Sequence, residues 1–218
     1  MMKKRTDMGY DGESVHRQLA AVLGAGSVLR RQEPLARRTT LRVGGRAEIY
    51  VEPADEGELA SVLQVCGAQA IPVFVLGRGS NVLVRDGGIR GVVVCLANPS
   101  FCGVAVAWDR VQAGAGAKLR QVASAARRAG LGGLEFLEGI PGSVGGALRM
   151  NAGAMGSWIF DRVDSIRWMN RDGRVEERPR SEVDVQYRRC PSLCTRIALR
   201  VHLRGERVAL DMIERRAE

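Results

Sequence analysis

Aromatic residues are scarce in this 218-residue sequence, at 5%, and there are only two histidines, His16 and His202, far apart in the chain. Zinc ligation and a Ser-His-Asp triad both need clustered or paired histidine chemistry, so neither is expected, and no metal site is assigned. The few aromatics, the scattered arginines and the lack of any nucleic-acid-binding motif argue against a nucleic-acid partner. No apolar run reaches the roughly 18 residues of a membrane span. Lys3-Lys4-Arg5 is not followed by an apolar segment, so no signal peptide is expected either. The five cysteines (Cys66, Cys95, Cys102, Cys190 and Cys194) are odd in number and form no Cys-x-x-Cys pair. That usage fits a reduced, cytoplasmic protein, and with no apolar span no membrane partner is expected.

Against these absences stand a net charge of +9, 45% hydrophobic residues and 27 glycines. The hydrophobic content suffices for a sizeable core, in one domain of two lobes or two small domains. An anionic small molecule or a phosphate-bearing cofactor accounts for the charge. The glycines cluster at 77–91, 114–116 and 130–156. They are densest in 132–156, GGLEFLEGIPGSVGGALRMNAGAMG. Glycine loses the most freedom on folding, so such a density marks backbone pressed against something, a ligand or a packed neighbour. Pro141 beside Gly142 suggests a turn. Ser143 stands where it would cap a helix over the following small residues, whose free amides would suit a phosphate. A tight ligand-free turn remains the competing reading.

Residues 1–12 are polar and expected to fray. Helical spacing predicts a helix over 13–24, with Val15, Leu19, Val22 and Leu23 inward, and another over 56–67 behind Asp55, burying Leu59, Val62, Leu63 and Cys66. A strand is read at 47–52 and a buried one at 73–76. The latter runs into Gly77-Arg78-Gly79-Ser80-Asn81 and a second apolar run, Val82-Leu83-Val84. This strand, turn, strand context lacks the third glycine and following helix of a Rossmann fingerprint, which is rejected. Successive amides of such a turn can still form an anion-binding nest, or the turn can be an ordinary hairpin. Further strands are read at 92–96, at 104–107 paired with 110–113, at 163–169 paired with 174–177 through Asn170-Arg171-Asp172-Gly173, and at 197–203. A helix is read over 117–129 ending at Gly130, and a last one near Val208. Strands and helices interleave, but neighbouring strands form hairpins, which indicates an α+β fold. The composition changes near Asn98-Pro99, a lobe boundary.

Three stretches are specific together: Thr39-Thr40-Leu41-Arg42-Val43-Gly44-Gly45, 76–84, and 138–147 with Met150-Asn151-Ala152-Gly153-Ala154. In this order and spacing they resemble the MurB family, the UDP-N-acetylenolpyruvoylglucosamine reductases of bacterial cell-wall synthesis, and Tyr187-Arg188 matches the family's Tyr-Arg motif. The resemblance covers roughly residues 30–217. It implies a two-lobed FAD-binding fold of the vanillyl-alcohol-oxidase (PCMH) type. FAD is expected to be bound non-covalently, with NADPH as electron donor and a small-molecule UDP-sugar, UDP-N-acetylglucosamine enolpyruvate, as substrate. By motif match, Gly77, Gly79, Ser80 and Asn81, with Arg78 among them, would hold the FAD pyrophosphate. Gly139, Ile140, Pro141, Gly142, Ser143, Gly145 and Gly146 would pass along the cofactor. Asn151, Ala152 and Gly153 would lie near the flavin ring. Tyr187 and Arg188 would bind substrate, with Arg188 the catalytic cation.

The sequence departs from the family pattern in two places. Cys190 stands where the family usually has serine. The family's third lobe, with its serine proton donor and a later glutamate, has no counterpart up to Glu218. The expected layout is an N-terminal segment and helix (1–29), lobe 1 (30–97), lobe 2 (98–205) and the start of a truncated C-terminal lobe (206–218). The alternative is a non-catalytic FAD-binding module that needs a separate partner lobe.

Overall fold

The computed structural model describes residues 10–209 and 212–213. Helix α1 (Gly12–Val22) opens behind Asp11, whose carboxylate accepts from the amides of Glu13 and Ser14 at 3.0 and 3.1 Å. That satisfies two of the donors a helix start leaves over. Val15 and Leu19, four apart, form its buried stripe. β1 (Val28–Pro34) pairs antiparallel with β2 (Arg46–Glu52). α2 (Glu56–Ala68) is capped by Asp55 and buries Leu59, Val62, Leu63 and Cys66, the face read from the spacing. β3 (Val73–Val75) and β4 (Ile89–Val94) pair in parallel and complete a four-stranded sheet of order β1-β2-β4-β3.

This sheet is covered on both faces, so Val92, Val93 and Val94 are all buried. Ile49, Val51, Val92 and Val94 join the main core with α1 and α2. Tyr50 and Val93, on the opposite face, meet Leu35, Leu76 and Val84 from the loops. That second, smaller layer lays the glycine loop after β3 across the sheet.

Two expectations fail here. β3 is an edge strand with Phe74 and Val75 more than a third exposed, not a buried one; a three-residue apolar run does not tell the two apart. Val82-Leu83-Val84 is not a strand. β3 and β4 are parallel, so the chain must travel back along the sheet between them, which no hairpin turn can do.

The second sheet is antiparallel, of order β11-β10-β12-β6-β5. β5 (Val104–Ala107) and β6 (Arg110–Gly114) pair about Trp108-Asp109 as read. α3 (Leu119–Arg128) presents Leu119, Val122, Ala123 and Ala126 inward and stops before Gly130, at φ +67°. β7 (Leu131–Gly132) leads to the glycine-rich segment, in which α4 (Val144–Arg149) forms. A small hairpin, β8 (Gly153–Ala154) and β9 (Ser157–Trp158), follows. β10 (Val163–Met169) and β11 (Val175–Pro179) form the predicted hairpin, and β12 (Ile197–Arg204) lies between β10 and β6. β13 (Glu206–Arg207) pairs with β7.

The two sheets share one continuous core. The β10–β11 hairpin packs against α2: Arg167, within β10, donates twice to the Glu56 carboxylate, at 3.3 and 2.8 Å. The α+β reading stands. Of the helix expected near Val208, residues 208 and 209 are irregular, residues 212 and 213 are helical, and residues 210–211 and 214–218 lie outside the described residues. Most of the segment expected to fray, residues 1–9, lies outside them too.

Candidate functional site

The turn after β3 is shaped by what lies beneath it. Gly79 is buried at φ +67°, and a Cβ there would lie 2.3 Å from the Arg38 carbonyl oxygen and 2.7 Å from Thr39 Cα. Thr40 N donates to Gly79 O at 3.1 Å. A Cβ at Gly77 would lie 2.6 Å from Ser143 Oγ. Ser80 Oγ donates to Pro141 O at 2.9 Å across 61 residues of sequence. The fold therefore brings the two predicted glycine segments into direct contact. At Gly77 and Gly79 the close neighbour is this chain itself, which settles half of the ambiguity left by the sequence.

Ser143 caps α4 as read, its hydroxyl accepting from Gly146 N at 3.4 Å. The expectation of free amides at that helix start is wrong. Val144 N donates to Ala117 O at 2.9 Å and Gly145 N to Ala115 O at 2.8 Å. Ser143 and Lys118 form an isolated antiparallel bridge, and the backbone bonds to Ala117 and Ala115 beside it consume the donors. By contrast, the amides of Gly77, Arg78, Gly79, Ser80 and Asn81 meet no acceptor among the described residues, nor do those of Gly142 and Ser143. Backbone amides without partners are rare away from water, and a consecutive run of them in a turn forms a concavity suited to an anion. The partnerless amides, the donors an anion could use, lie in the first turn and at its contact with the second, not at the helix start.

After α4, Asn151 is 8% exposed at φ +40°. Its Nδ2 donates to Gln186 O at 3.2 Å, while its buried Oδ1 has no partner among the described residues. Ala152 is buried and held by Ala152 N to Ala147 O at 2.9 Å, and Gly153 begins β8. The bond from Asn151 anchors a tight turn in which Gln186 N donates to Arg189 O at 2.8 Å and Arg189 N to Gln186 O at 3.2 Å. Tyr187 and Arg188 occupy its tip, Tyr187 at 82% exposure and Arg188 exposed at φ +57°. Cys190 is buried below, its amide donating to Arg149 O at 3.1 Å. Burial pushes its thiol up from the ordinary range, so it stays protonated. Arg42, Arg78, Arg149 and Arg188, all on segments that meet here, have no carboxylate partner among the described residues.

Sequence reasoning missed the support under the first turn. Arg38 donates to Glu33 at 2.9 Å and to Glu52 at 3.0 Å, and lies 4.5 Å over the Tyr50 ring. Tyr50, fully buried, donates to Glu52 at 2.7 Å. Burial, then the Cys95 thiol and the Glu52 carboxylate, raise the Tyr50 hydroxyl far above its usual pKa and keep it a donor. A hydrogen bond pattern that crosses from β1 to β2 through a loop leaves no periodic signal.

The contact between the turns is testable by a double-mutant cycle. Gly77→Ala clashes with Ser143 Oγ, a side-chain atom, whereas Ser143 Cβ is 3.9 Å away. Ser143→Ala removes the obstacle at the cost of a cap, about 1 kcal/mol. Urea unfolding of the two single variants and the double variant should give a favourable coupling of about 0.5–3 kcal/mol. Strict additivity would show that the turns are not in contact.

A family model described as FAD binding domain matches residues 47–178. A UDP-N-acetylenolpyruvoylglucosamine reductase of Geobacter metallireducens is 49% identical over 163 residues, covering 75% of this chain and 53% of that protein. The chain spans about half the length of the curated relatives it matches. The crystal structure of UDP-N-acetylenolpyruvylglucosamine reductase (MurB) from Thermus caldophilus superposes with a TM-score of 0.74 at 34% identity, over 87% of this chain and 67% of that one. A 4-ethylphenol oxidase from Gulosibacter chungangensis, at 12% identity and a TM-score of 0.65 over 92% of this chain and 44% of that one, shares the fold alone. With the family model spanning well over half of the chain and these relatives agreeing, the chain belongs to the FAD-binding domain family and, within it, to the UDP-N-acetylenolpyruvoylglucosamine reductase (MurB) family.

Proposed function

We propose that this chain binds FAD non-covalently and serves the NADPH-dependent reduction of UDP-N-acetylglucosamine enolpyruvate to UDP-N-acetylmuramate, a step in making the precursor of peptidoglycan. The observation that carries the reading is the run of partnerless amides at Gly77–Asn81, in contact with the 139–146 segment. The diphosphate would lie on those amides. The buried Asn151 Oδ1 offers an acceptor to a ring N–H, which fits the same group. The described histidines, His16 in α1 and His202 in β12, belong to neither glycine segment, consistent with non-covalent binding. The lobes 30–97 and 98–205 are taken as the two halves that enclose the cofactor.

Bound FAD would supply two-electron hydride chemistry between NADPH and the enolpyruvyl double bond, and the proton that completes the reduction would come from water or from an acid on a partner lobe. The chain's own residues hold and polarise. Arg188 binds the substrate carboxylate through two N–H groups and stabilises the negative charge that builds toward it. Tyr187 lines the approach beside it, and Asn151 fixes the turn that carries both. Arg78 and Arg149 add positive potential that favours anionic ligands.

Incubated with FAD and freed of excess, the purified chain should be yellow with the absorbance of oxidised flavin. NADPH should bleach it, and the enolpyruvyl substrate should restore the colour. A colourless chain that FAD cannot reconstitute sinks the proposal. Bleaching without substrate-driven return would leave a flavin-binding module in place of a reductase.

A further inference from the structure

Two carbonyl groups fix which way the first turn faces. Gly77 O accepts from Cys95 Sγ at 3.9 Å, and Gly79 O accepts from Thr40 N at 3.1 Å. Among the described residues every peptide bond is trans. A trans peptide holds its C=O and N–H on opposite sides. The amide of Arg78, which follows Gly77, therefore points away from Cys95. The amide of Ser80, which follows Gly79, points away from Thr40. Neither meets an acceptor among the described residues.

The floor beneath these carbonyls is braced by charge. The Arg38 carbonyl is the atom on which Gly79 rests, and its guanidinium bonds Glu33 and Glu52 while covering Tyr50. Glu33 is 6% exposed, so without Arg38 a nearly buried carboxylate would lose its closer partner and keep only Arg30, at 3.4 Å. Such a loss favours local movement, because a nearly buried charge left with one longer, half-exposed ion pair gains by reaching water. Tyr50 ties the same carboxylate, Glu52, to the sheet, next to Cys95. The brace and the two carbonyl supports are thus one connected structure under residues 77–80.

We propose that Arg38, held by Glu33, Glu52 and Tyr50, is a positioning residue that sets the outward pose of the Arg78 and Ser80 amides and thereby the affinity for the cofactor's diphosphate; this rests on the FAD reading above. Arg38 does not touch the cofactor. It acts through the floor on which Gly79 lies, so its removal should be felt by a ligand's phosphates far more than by its ring.

The test compares FAD with riboflavin, the same ring without phosphate, by fluorescence titration of the wild-type chain and of the Arg38→Ala, Arg38→Lys and Cys95→Ala variants. Arg38→Ala should weaken FAD by about tenfold or more, the loss expected when charge-assisted geometry fails. Riboflavin should change by less than about twofold, since it makes no diphosphate contact. Arg38→Lys keeps the charge but loses the planar fork, so it should fall between wild type and Arg38→Ala. Cys95→Ala should weaken FAD by a smaller factor in the same direction. Equal losses for both flavins, or no loss for FAD, overturn the proposal. Should Arg38→Ala fail to fold, the FAD-to-riboflavin ratio of Arg38→Lys decides, and an unchanged ratio overturns it. A wild-type chain that binds neither flavin overturns the FAD reading itself, and this inference with it.

Discussion

Gly79→Ala is expected to weaken FAD binding by about 100-fold or more and to destabilise the fold, whereas Gly139→Ala, in the partner segment, is expected to leave the fold nearly unchanged. At Gly79 two costs add. The backbone is left-handed, φ +67°, which costs an L-residue about 1–2 kcal/mol. The new methyl would also sit 2.3 Å from the Arg38 carbonyl oxygen and 2.7 Å from Thr39 Cα. Both are backbone atoms, and Arg38 is pinned by Glu33 and Glu52, so neither swings aside as a side chain would. Overpacking of this kind costs a further 1–3 kcal/mol or so. The turn must lift off its floor, and the amides of Arg78 and Ser80 move with it. At Gly139 the nearest atom to a new Cβ is Phe136 O at 3.8 Å, an ordinary contact. Denaturant midpoints should therefore fall for Gly79→Ala by about 2–5 kcal/mol and barely change for Gly139→Ala. FAD affinity should drop by about 100-fold or more in the first, a displacement of the order of an ångström being enough. Retention of FAD within threefold of wild type by a folded Gly79→Ala chain would mean that this turn does not hold the diphosphate.

The same residues show what a sequence can and cannot reveal. Helix faces were legible because burial repeats every three or four residues: Leu59, Val62, Leu63 and Cys66 in α2, and Leu119, Val122, Ala123 and Ala126 in α3, are the buried sets. The β5–β6 and β10–β11 hairpins were legible because alternation and turn residues are local. Pairing between distant strands leaves no such mark, so Val82-Leu83-Val84 passed for a strand when the parallel pairing of β3 with β4 forbids it. The site divides in the same way. Its glycines and Tyr187-Arg188 stand out as sequence, and the fold puts the glycine segments in contact and ties the Tyr-Arg turn to Asn151. Where the donors go was not legible. The amides of α4 are taken by Ala115 and Ala117, and the floor under Gly79 is Arg38, more than forty residues earlier.

Arg188→Gly should slow substrate-driven reoxidation of the reduced flavin by about 10²–10³, the usual cost of removing a donor aimed at developing charge. The fold should hardly notice. Arg188 sits at φ +57° on an exposed turn tip, a conformation that glycine adopts freely. Relief of that strain, about 1 kcal/mol, opposes the added freedom of the unfolded chain, about 0.4–1 kcal/mol, so the net stability change should be near zero. The turn itself is closed by Gln186 and Arg189 and tied down by Asn151, none of which uses the Arg188 side chain. FAD affinity and the rate of bleaching by NADPH should also stay within about twofold, because the proposed role of Arg188 is toward the substrate carboxylate and not the cofactor's diphosphate. Arg188→Lys keeps the charge without the fork, so its rate should lie between the two. A purely structural arginine would give the opposite pattern, with loss of stability and no selective loss in the reoxidation step. Stopped-flow traces of the two half-reactions, set beside a thermal melt, distinguish these cases. Unchanged reoxidation in a folded, flavin-loaded Arg188→Gly chain would remove Arg188 from the chemistry.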